Sequence, residues 1–322
     1  MKLKIFSKRI LIAITLIFLI GCDLCNKQKS FSLKVLVVSD PRFPNISRED
    51  YNNIFLTLPK IANKFFPLNI EKIQITEEIS MSEFLNRYKD QKIKGGIDLF
   101  DNPEKIYKTQ LTFLCEKEKG SIVKFLKLKE KNPKVITDYI LKAYAKNLKI
   151  IKSATINKAS IISKNSLENS YTFWENVIGK TSEYDIILIN TLLMDDSANK
   201  DFPPSVHTLI RGGVTVGAAL KSQAIHGGTI VFSLFPFVAD IEPFNANENV
   251  PMRYKNTIIG YYLTHEIGHL FMYYPDDYKN SRCVMSPARD FRFLDWYLQV
   301  KDGYCKKPGR KTIQYIKSFY DK

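Results

Sequence analysis

Hydrophobic positions along the chain come in blocks, and the period within a block changes from one to the next. Residues 31–39 (FSLKVLVVS) are dense in β-branched side chains and predict a buried strand. Ser47-Arg48-Glu49-Asp50 has the form of a capping box and opens a predicted helix to about Phe66. Ile70 to Ile75 predicts a second strand, so the start reads strand–helix–strand. Residues 80–133 are charged and weakly periodic, and no element is assigned to them. Asn132-Pro133 precedes a stretch from Val135 to Ile150 with apolar residues at helical spacing. Another helix is predicted from Asn169 to Gly179. Tyr184 to Met194 (YDIILINTLLM) predicts a strong strand, followed by strands at Val214–Leu220 and Gly228–Phe235. Asn249 and Pro251 mark the start of a helix that runs through Ile258, Ile259, Leu263, Ile267 and Leu270. A last helix is expected at about Lys311 to Tyr320. Neither repeats nor low-complexity tracts occur, no linker divides the chain, and the mixed order predicts the α+β class.

At 322 residues, 45% hydrophobic and 25% charged, the chain has the composition of a globular protein with a real core. The first 22 residues stand apart. A cationic start (MKLKIFSKR) leads into an apolar run from Ile10 to Ile20, too short to span a bilayer comfortably, and then Gly21-Cys22. This is the layout of a secretory signal. Leu19-Ile20-Gly21-Cys22 resembles the lipobox of bacterial lipoproteins. The resemblance implies cleavage before Cys22, a lipid on its sulfur, and a folded part held at the membrane on the periplasmic or cell-surface side. An uncleaved anchor helix is the other reading, and it too puts the folded part outside the cytoplasm. The expected organisation is a signal peptide at 1–21, a tether at 22–30 and one folded domain at 31–322. With the signal go Lys2, Lys4, Lys8 and Arg9, which takes the formal charge from +15 to +11. The remaining lysines are scattered among acids, as in KLKEKNPK, with no compact basic stripe interleaved with aromatics. A solvated basic surface near a membrane is expected, and no nucleic-acid partner. With Cys22 lipidated, Cys25, Cys115, Cys283 and Cys305 remain, and the sequence does not choose among their three pairings.

Candidate chemistry lies on the helix after Pro251. His265 and His269 are four apart and so share one helix face, where two imidazoles can reach one ion. Glu266 follows the first histidine and can face a water on that ion. This is the HExxH arrangement, in which zinc lowers the pKa of a water to about 7 and the glutamate takes its proton as the water attacks a peptide carbonyl. The chain has 4 histidines, and 2 fall here, on a long apolar helix where unused polar groups are costly. Hydrolytic zinc usually has three protein ligands and one open position. No histidine follows His269 and no glutamate follows Glu266, so a downstream glutamate ligand is excluded. Downstream candidates are Asp276, Asp277, Asp290, Asp295 and Asp302, with His207 and His226 upstream.

At this point the stretch resembles the metzincin zinc proteases, and within them the archaemetzincins. Their pattern is HExxHxxGxxH, a short loop, Cys-Val-Met, and later CxxC. Here His265-Glu266-Ile267-Gly268-His269 is followed by Cys283-Val284-Met285 and Cys305-Lys306-Lys307-Pro308. The resemblance covers about residues 184–310, a zinc-site core, with residues 31–180 as an N-terminal part. It implies a metzincin-like α+β domain with a mixed twisted sheet, an active-site helix and a Met-turn. Its activity would be that of a metallopeptidase with one catalytic zinc, acting on a peptide or protein substrate with Glu266 as general base. Met285 would be the Met-turn methionine, an apolar floor beneath the metal.

Three departures matter: Met272 stands at the glycine position, Pro275 at the third-histidine position and Pro308 at the second cysteine of CxxC. Pro275 drives Tyr274 out of helical geometry and ends the helix within one turn. Asp276 then falls one residue beyond the family's ligand position, and Asp277 two. The expected third ligand is Asp276, or else Asp277; the alternative is that the pair only closes a surface turn. The family's second, cysteine-bound zinc is not expected here, and Cys283 and Cys305 are expected to form a disulfide instead. Tyr273, Tyr274 and Tyr278 are possible hydrogen-bond donors to an oxyanion. A non-catalytic zinc-binding surface lipoprotein, serving metal capture or adhesion, is the alternative function; it would need the ligands but not Glu266.

Overall fold

The computed structural model describes residues 30–89, 103–162, 166–178, 183–196, 205–222 and 227–305. Cys22, Cys25, His226, Pro308 and the helix expected at about Lys311 to Tyr320 lie outside these residues. The class is α+β, with a mostly parallel sheet and ten helices among the described residues. No helix among them is long and apolar enough to cross a membrane.

The sheet has five strands: β1 (Phe31–Ser39), β2 (Ile70–Ser80), β3 (Ile186–Ile189), β4 (Gly217–Ser222) and β5 (Gly227–Ser233), in the order β2-β1-β3-β5-β4. All pairs are parallel except β4 with β5, which is antiparallel with Gly217 opposite Phe232. Because side chains alternate across a sheet, each strand feeds two cores. Leu33, Val35, Val37, Leu188, Ile230 and Phe232 join the larger one. Leu36, Val38, Ile187, Ile189 and Val231 join the smaller one with Phe84, Phe173 and Trp174. The near-continuous apolar runs of β1 and β3 follow from this two-sided burial.

The capping box forms: the Ser47 hydroxyl accepts from the Asp50 amide and the Asp50 carboxylate from the Ser47 amide, opening α1 (Arg48–Phe65). α1 packs against α9 (Met252–Met272) on the larger core, where Gly260 brings the helices close: a Cβ there would lie 3.2 Å from Ile61 Cδ1. Residues 80–133, unassigned by periodicity, contain α2 (Met81–Arg87), α3 (Pro103–Lys117) and α4 (Lys119–Leu126). α5 (Pro133–Ser153), opened by Asn132 as its cap, packs on α3 and on α7 (Val206–Ile210). Asn147 Nδ2 donates to the Ile210 carbonyl at 2.6 Å. Gly212, at φ +73°, lies so close that a Cβ would be 2.6 Å from the Leu148 nitrogen, and the contact seats α7 on α5. α6 (Tyr171–Ile178) covers the smaller core, and α8 (Phe235–Val238) and α10 (Phe293–Val300) complete the larger.

Two expected strands are interrupted. The run Tyr184–Met194 is β3 plus a separate short strand at Leu193–Met194, because Asn190 is taken up in hydrogen bonds to the Asp40 and Phe43 carbonyls. The run Val214–Leu220 breaks at Val216, where Val214–Thr215 pairs with Leu193–Met194 and β4 begins at Gly217. Phe235 begins α8 instead of ending β5.

Candidate metal centre

α9 is buried on nearly every side from Ile258 to Met272, with His265 and Glu266 almost fully enclosed. It ends where Tyr273 turns left-handed at φ 54°, with the Tyr273 and Tyr274 amides both donating to the Gly268 carbonyl. Pro275 keeps its predecessor Tyr274 from resuming the helix. The chain therefore doubles back across the face that carries the histidines.

The reversal brings three side chains together. His265 Nε2 and His269 Nε2 lie 3.0 Å apart, and Asp276 Oδ1 is 3.5 Å from each. Each imidazole is oriented from behind: His265 Nδ1 donates to the Val284 carbonyl at 2.8 Å and His269 Nδ1 to the Tyr274 carbonyl at 2.6 Å. With both Nδ1 atoms engaged from behind, the two Nε2 atoms face each other and Asp276 Oδ1. Asp276 Oδ1 is buried with no hydrogen-bond partner. Lone pairs at this distance repel unless a cation or a proton lies between them. A triangle with sides of 3.0, 3.5 and 3.5 Å has a point about 2 Å from all three corners, the range of zinc bonds to imidazole nitrogen and carboxylate oxygen. The donor set, its spacing and its orphaned oxygen thus fit a divalent cation of zinc's size.

Asp277 does not join this cluster. Its amide donates to the Met285 carbonyl at 2.8 Å, and its Oδ1 accepts from the Lys279 and Asn280 amides, each at 3.0 Å. It closes the turn that returns the chain to Met285. Of the other candidates, Asp290 is held between Arg289 and Arg292, Asp295 sits in the first turn of α10, and Asp302 lies near Lys301. Cys283 and Cys305 form a disulfide with Cα atoms 4.7 Å apart. Val284 and Met285 follow it, so the bridge braces the segment whose carbonyls hold His265 and Asp277. Met285 is buried beneath the helix; a Cβ on Gly268 would collide with its sulfur and would lie 2.7 Å from Phe66 Cζ.

Electrostatics around the cluster follow from burial. Burial opposes a charge on His269, but the Asp276 carboxylate holds its pKa up at about 9. Burial also opposes the charge on Asp276, and His207, His265 and His269 hold it well below the usual carboxylate range. Burial pushes Glu266 up, against the pull of the two histidines. Burial pushes His207, on α7, down to about 3. It lies 3.8 Å from Asp276 Oδ2, with Nδ1 3.1 Å from the Tyr278 hydroxyl and Nε2 3.1 Å from Ser205 Oγ. Both of its nitrogens are thereby engaged, and it supports the cluster from behind.

No protein-family model, no curated protein and no solved structure matches this chain.

Sequence reasoning missed several contributors. Gly217 opens β4 against Glu266, and a Cβ there would lie 2.6 Å from Glu266 Cδ and 2.7 Å from Oε1. Arg211 is buried and donates to the Tyr262 hydroxyl at 3.1 Å, behind the ring that packs on His265. α4, from the unassigned region, lies over the loop after Asp276: Lys124 donates to the Lys279 carbonyl at 2.9 Å and Phe125 packs on Tyr278 at 4.8 Å. Of the three tyrosines, Tyr273 forms the helix reversal, Tyr274 packs on Phe66, and Tyr278 faces His207.

Proposed function

We propose that the chain is a zinc-dependent metallopeptidase of metzincin type, held outside the cytoplasm by a lipid on Cys22. The observation that carries this reading is the buried Asp276 Oδ1, which makes no hydrogen bond, set 3.5 Å from two convergent imidazole nitrogens. The resemblance gains support from the helix end. The family pattern has three steps from its glycine to its third histidine, and three steps separate left-handed Tyr273 from Asp276. Reversal and ligand have moved together by one residue, so a carboxylate takes the place of the third imidazole. Met285 beneath Gly268 and the antiparallel edge strand β4 beside Glu266 also accord with it.

A zinc ion held by His265, His269 and Asp276 would acidify a water and polarise the scissile carbonyl at its open position. The protein's own residues do the rest. Val284 and Tyr274 carbonyls fix the two Nδ1 hydrogens, so each ring offers Nε2. Glu266 takes the proton of the attacking water and delivers it to the leaving amine; burial makes it a stronger base than an exposed carboxylate. Gly217 leaves room for that carboxylate. Among the described residues β4 ends the sheet, so an extended peptide can add to its outer edge and run past Gly217.

The test is incubation of the zinc-loaded protein with a mixed peptide library, beside Glu266→Gln, with products identified by mass spectrometry. Both proteins should bind one zinc, and only the parent should cut. Zinc bound by both with no cleavage by either overturns the peptidase reading and leaves a zinc-binding lipoprotein.

A further inference from the structure

Formal charge is spread unevenly over the fold. Residues 108–153 hold 12 lysines against 4 acids, a net charge of +8 out of the +11 that remains without the signal. Along the chain these lysines stand among acids, but folding gathers them, because α3, α4 and α5 pack together on the larger core. α3 and α5 lie side by side, with the Thr112 and Thr137 hydroxyls 3.2 Å apart. All 12 lysines are exposed except the half-buried Lys119. Of the acids, Asp138 lies 3.7 Å from Lys108 and Glu118 lies 3.8 Å from Lys279, so two of the four are already engaged. Lys142, Lys146 and Lys149 make no ion pair among the described residues.

On α5 the charge is ordered. Val135, Tyr139, Lys142, Lys146 and Lys149 recur at steps of four and three, so they form one stripe along the helix. The whole stripe is exposed, and large apolar side chains stand out with the lysines: Val135 at 47%, Tyr139 at 44%, and Phe113 on the neighbouring α3 at 66%. Aromatic and apolar side chains settle at the headgroup level of a bilayer, while lysines beside them reach its phosphates. A second copy of this chain does not fit the face, because +8 would meet +8. The chain's start lies at the same end of α9 that α4 borders. The Phe31 ring is 5.8 Å from Phe271, next to the last residue of α9, and Lys124 of α4 donates to the Lys279 carbonyl in the loop beyond. Eight residue steps separate Cys22 from Ser30 and reach at most about 27 Å, which keeps a lipid on Cys22 close to this end of the molecule.

We infer that the outward side of α3 and α5 is a membrane-binding face, which seats the domain on a bilayer rich in anionic headgroups. The inference rests on the proposed lipid at Cys22 for the tether, but the attraction of the face to such a bilayer stands apart from it and from the peptidase reading. Each lysine near an anionic membrane surface strengthens binding about fivefold. The lipid then confines the domain to the membrane, and the lysine stripe decides which side of the domain lies down.

The experiment reconstitutes the mature, anchored protein in vesicles of phosphatidylcholine alone or of equal parts phosphatidylcholine and phosphatidylglycerol, and follows trace acetylation of each lysine by mass spectrometry. In the anionic vesicles Lys142, Lys146 and Lys149 should react at least about fivefold more slowly than in the neutral ones. Lys60 on α1 and Lys72 on β2 should react alike in both. The protection should vanish at about 1 M salt, where charges act over only about 3 Å. In Lys142→Glu/Lys146→Glu/Lys149→Glu, Lys131 and Lys134 should lose their protection, with the thermal midpoint near the parent's because the altered side chains are exposed. Phe113→Trp should be quenched by brominated lipid in the anionic vesicles, whereas Trp174 and Trp296 are buried. Equal reactivity in both kinds of vesicle overturns the inference, as does an unquenched Phe113→Trp. Duplex DNA protecting the same lysines as well as the vesicles do also overturns it, in favour of a polyanion surface. Mass spectrometry of the N-terminal peptide reports the lipid separately. Should Cys22 carry none, the anchor reading fails, and cosedimentation of the chain with the two kinds of vesicle decides the face: binding to the anionic ones alone, lost in the triple variant, upholds it, and any other pattern overturns it.

Discussion

Gly217→Ala isolates the contact between the sheet edge and Glu266. Gly217 lies outside the left-handed region, so alanine meets no backbone penalty there. The new Cβ would stand 2.6 Å from Glu266 Cδ and 2.7 Å from Oε1, where non-bonded carbon atoms settle at about 3.5–4.0 Å. The carboxylate must therefore move by about 1 Å, or the strand must. The carboxylate is enclosed, since Glu266 is 4% exposed and sits mid-helix on α9. Overpacking of this kind costs about 1–3 kcal/mol. The assay is a double-mutant cycle by denaturant unfolding. Gly217→Ala should destabilise the parent by that amount, yet cost less than about 0.5 kcal/mol in a Glu266→Ala background, where the opposing atoms are gone. On the proposed activity, a displacement of about 1 Å should lower kcat about 100-fold. His265, His269 and Asp276 are untouched by the change, so zinc affinity should hold. An equal cost in both backgrounds would refute the reasoning, because the clash would then not be with Glu266.

Zinc at a hundred times its dissociation constant should raise the stability of the parent by about 2.7 kcal/mol. Asp276→Asn should abolish that gain in thermal unfolding, while Asp277→Ala should keep it and lose about 1–2 kcal/mol of its own from the two amides left without an acceptor. A zinc response lost in Asp277→Ala and kept in Asp276→Asn would reverse the assignment. Reduction of Cys283–Cys305, which are 22 residues apart, should cost about 3 kcal/mol and weaken zinc binding, because the bridge braces the carbonyl that orients His265. A midpoint and a zinc affinity both indifferent to reductant would contradict this.

What the sequence settled by itself is what local periodicity and local chemistry can carry. β1 is Phe31–Ser39 in both readings, because a two-sided apolar run needs no knowledge of its neighbours. α1 was legible from Ser47 and Asp50, since a capping box is closed by atoms three residues apart. The placement of His265, Glu266 and His269 on one helix is likewise local, set by 3.6 residues per turn. For the third donor the sequence favoured Asp276, with Asp277 next to it as the alternative. Which of them turns inward depends on one left-handed residue, Tyr273, a conformation that no preference of tyrosine announces. Only the tertiary structure separated Asp276 from Asp277, put Gly217 against Glu266, set His207 and Tyr278 behind Asp276, and laid α4 over the loop. The break in the run at Asn190 was hidden for the same reason: its side chain is claimed by carbonyls at Asp40 and Phe43, about 150 residues away. Each of these depends on atoms brought together by the packing of distant segments, and a distance through space leaves no period along a chain.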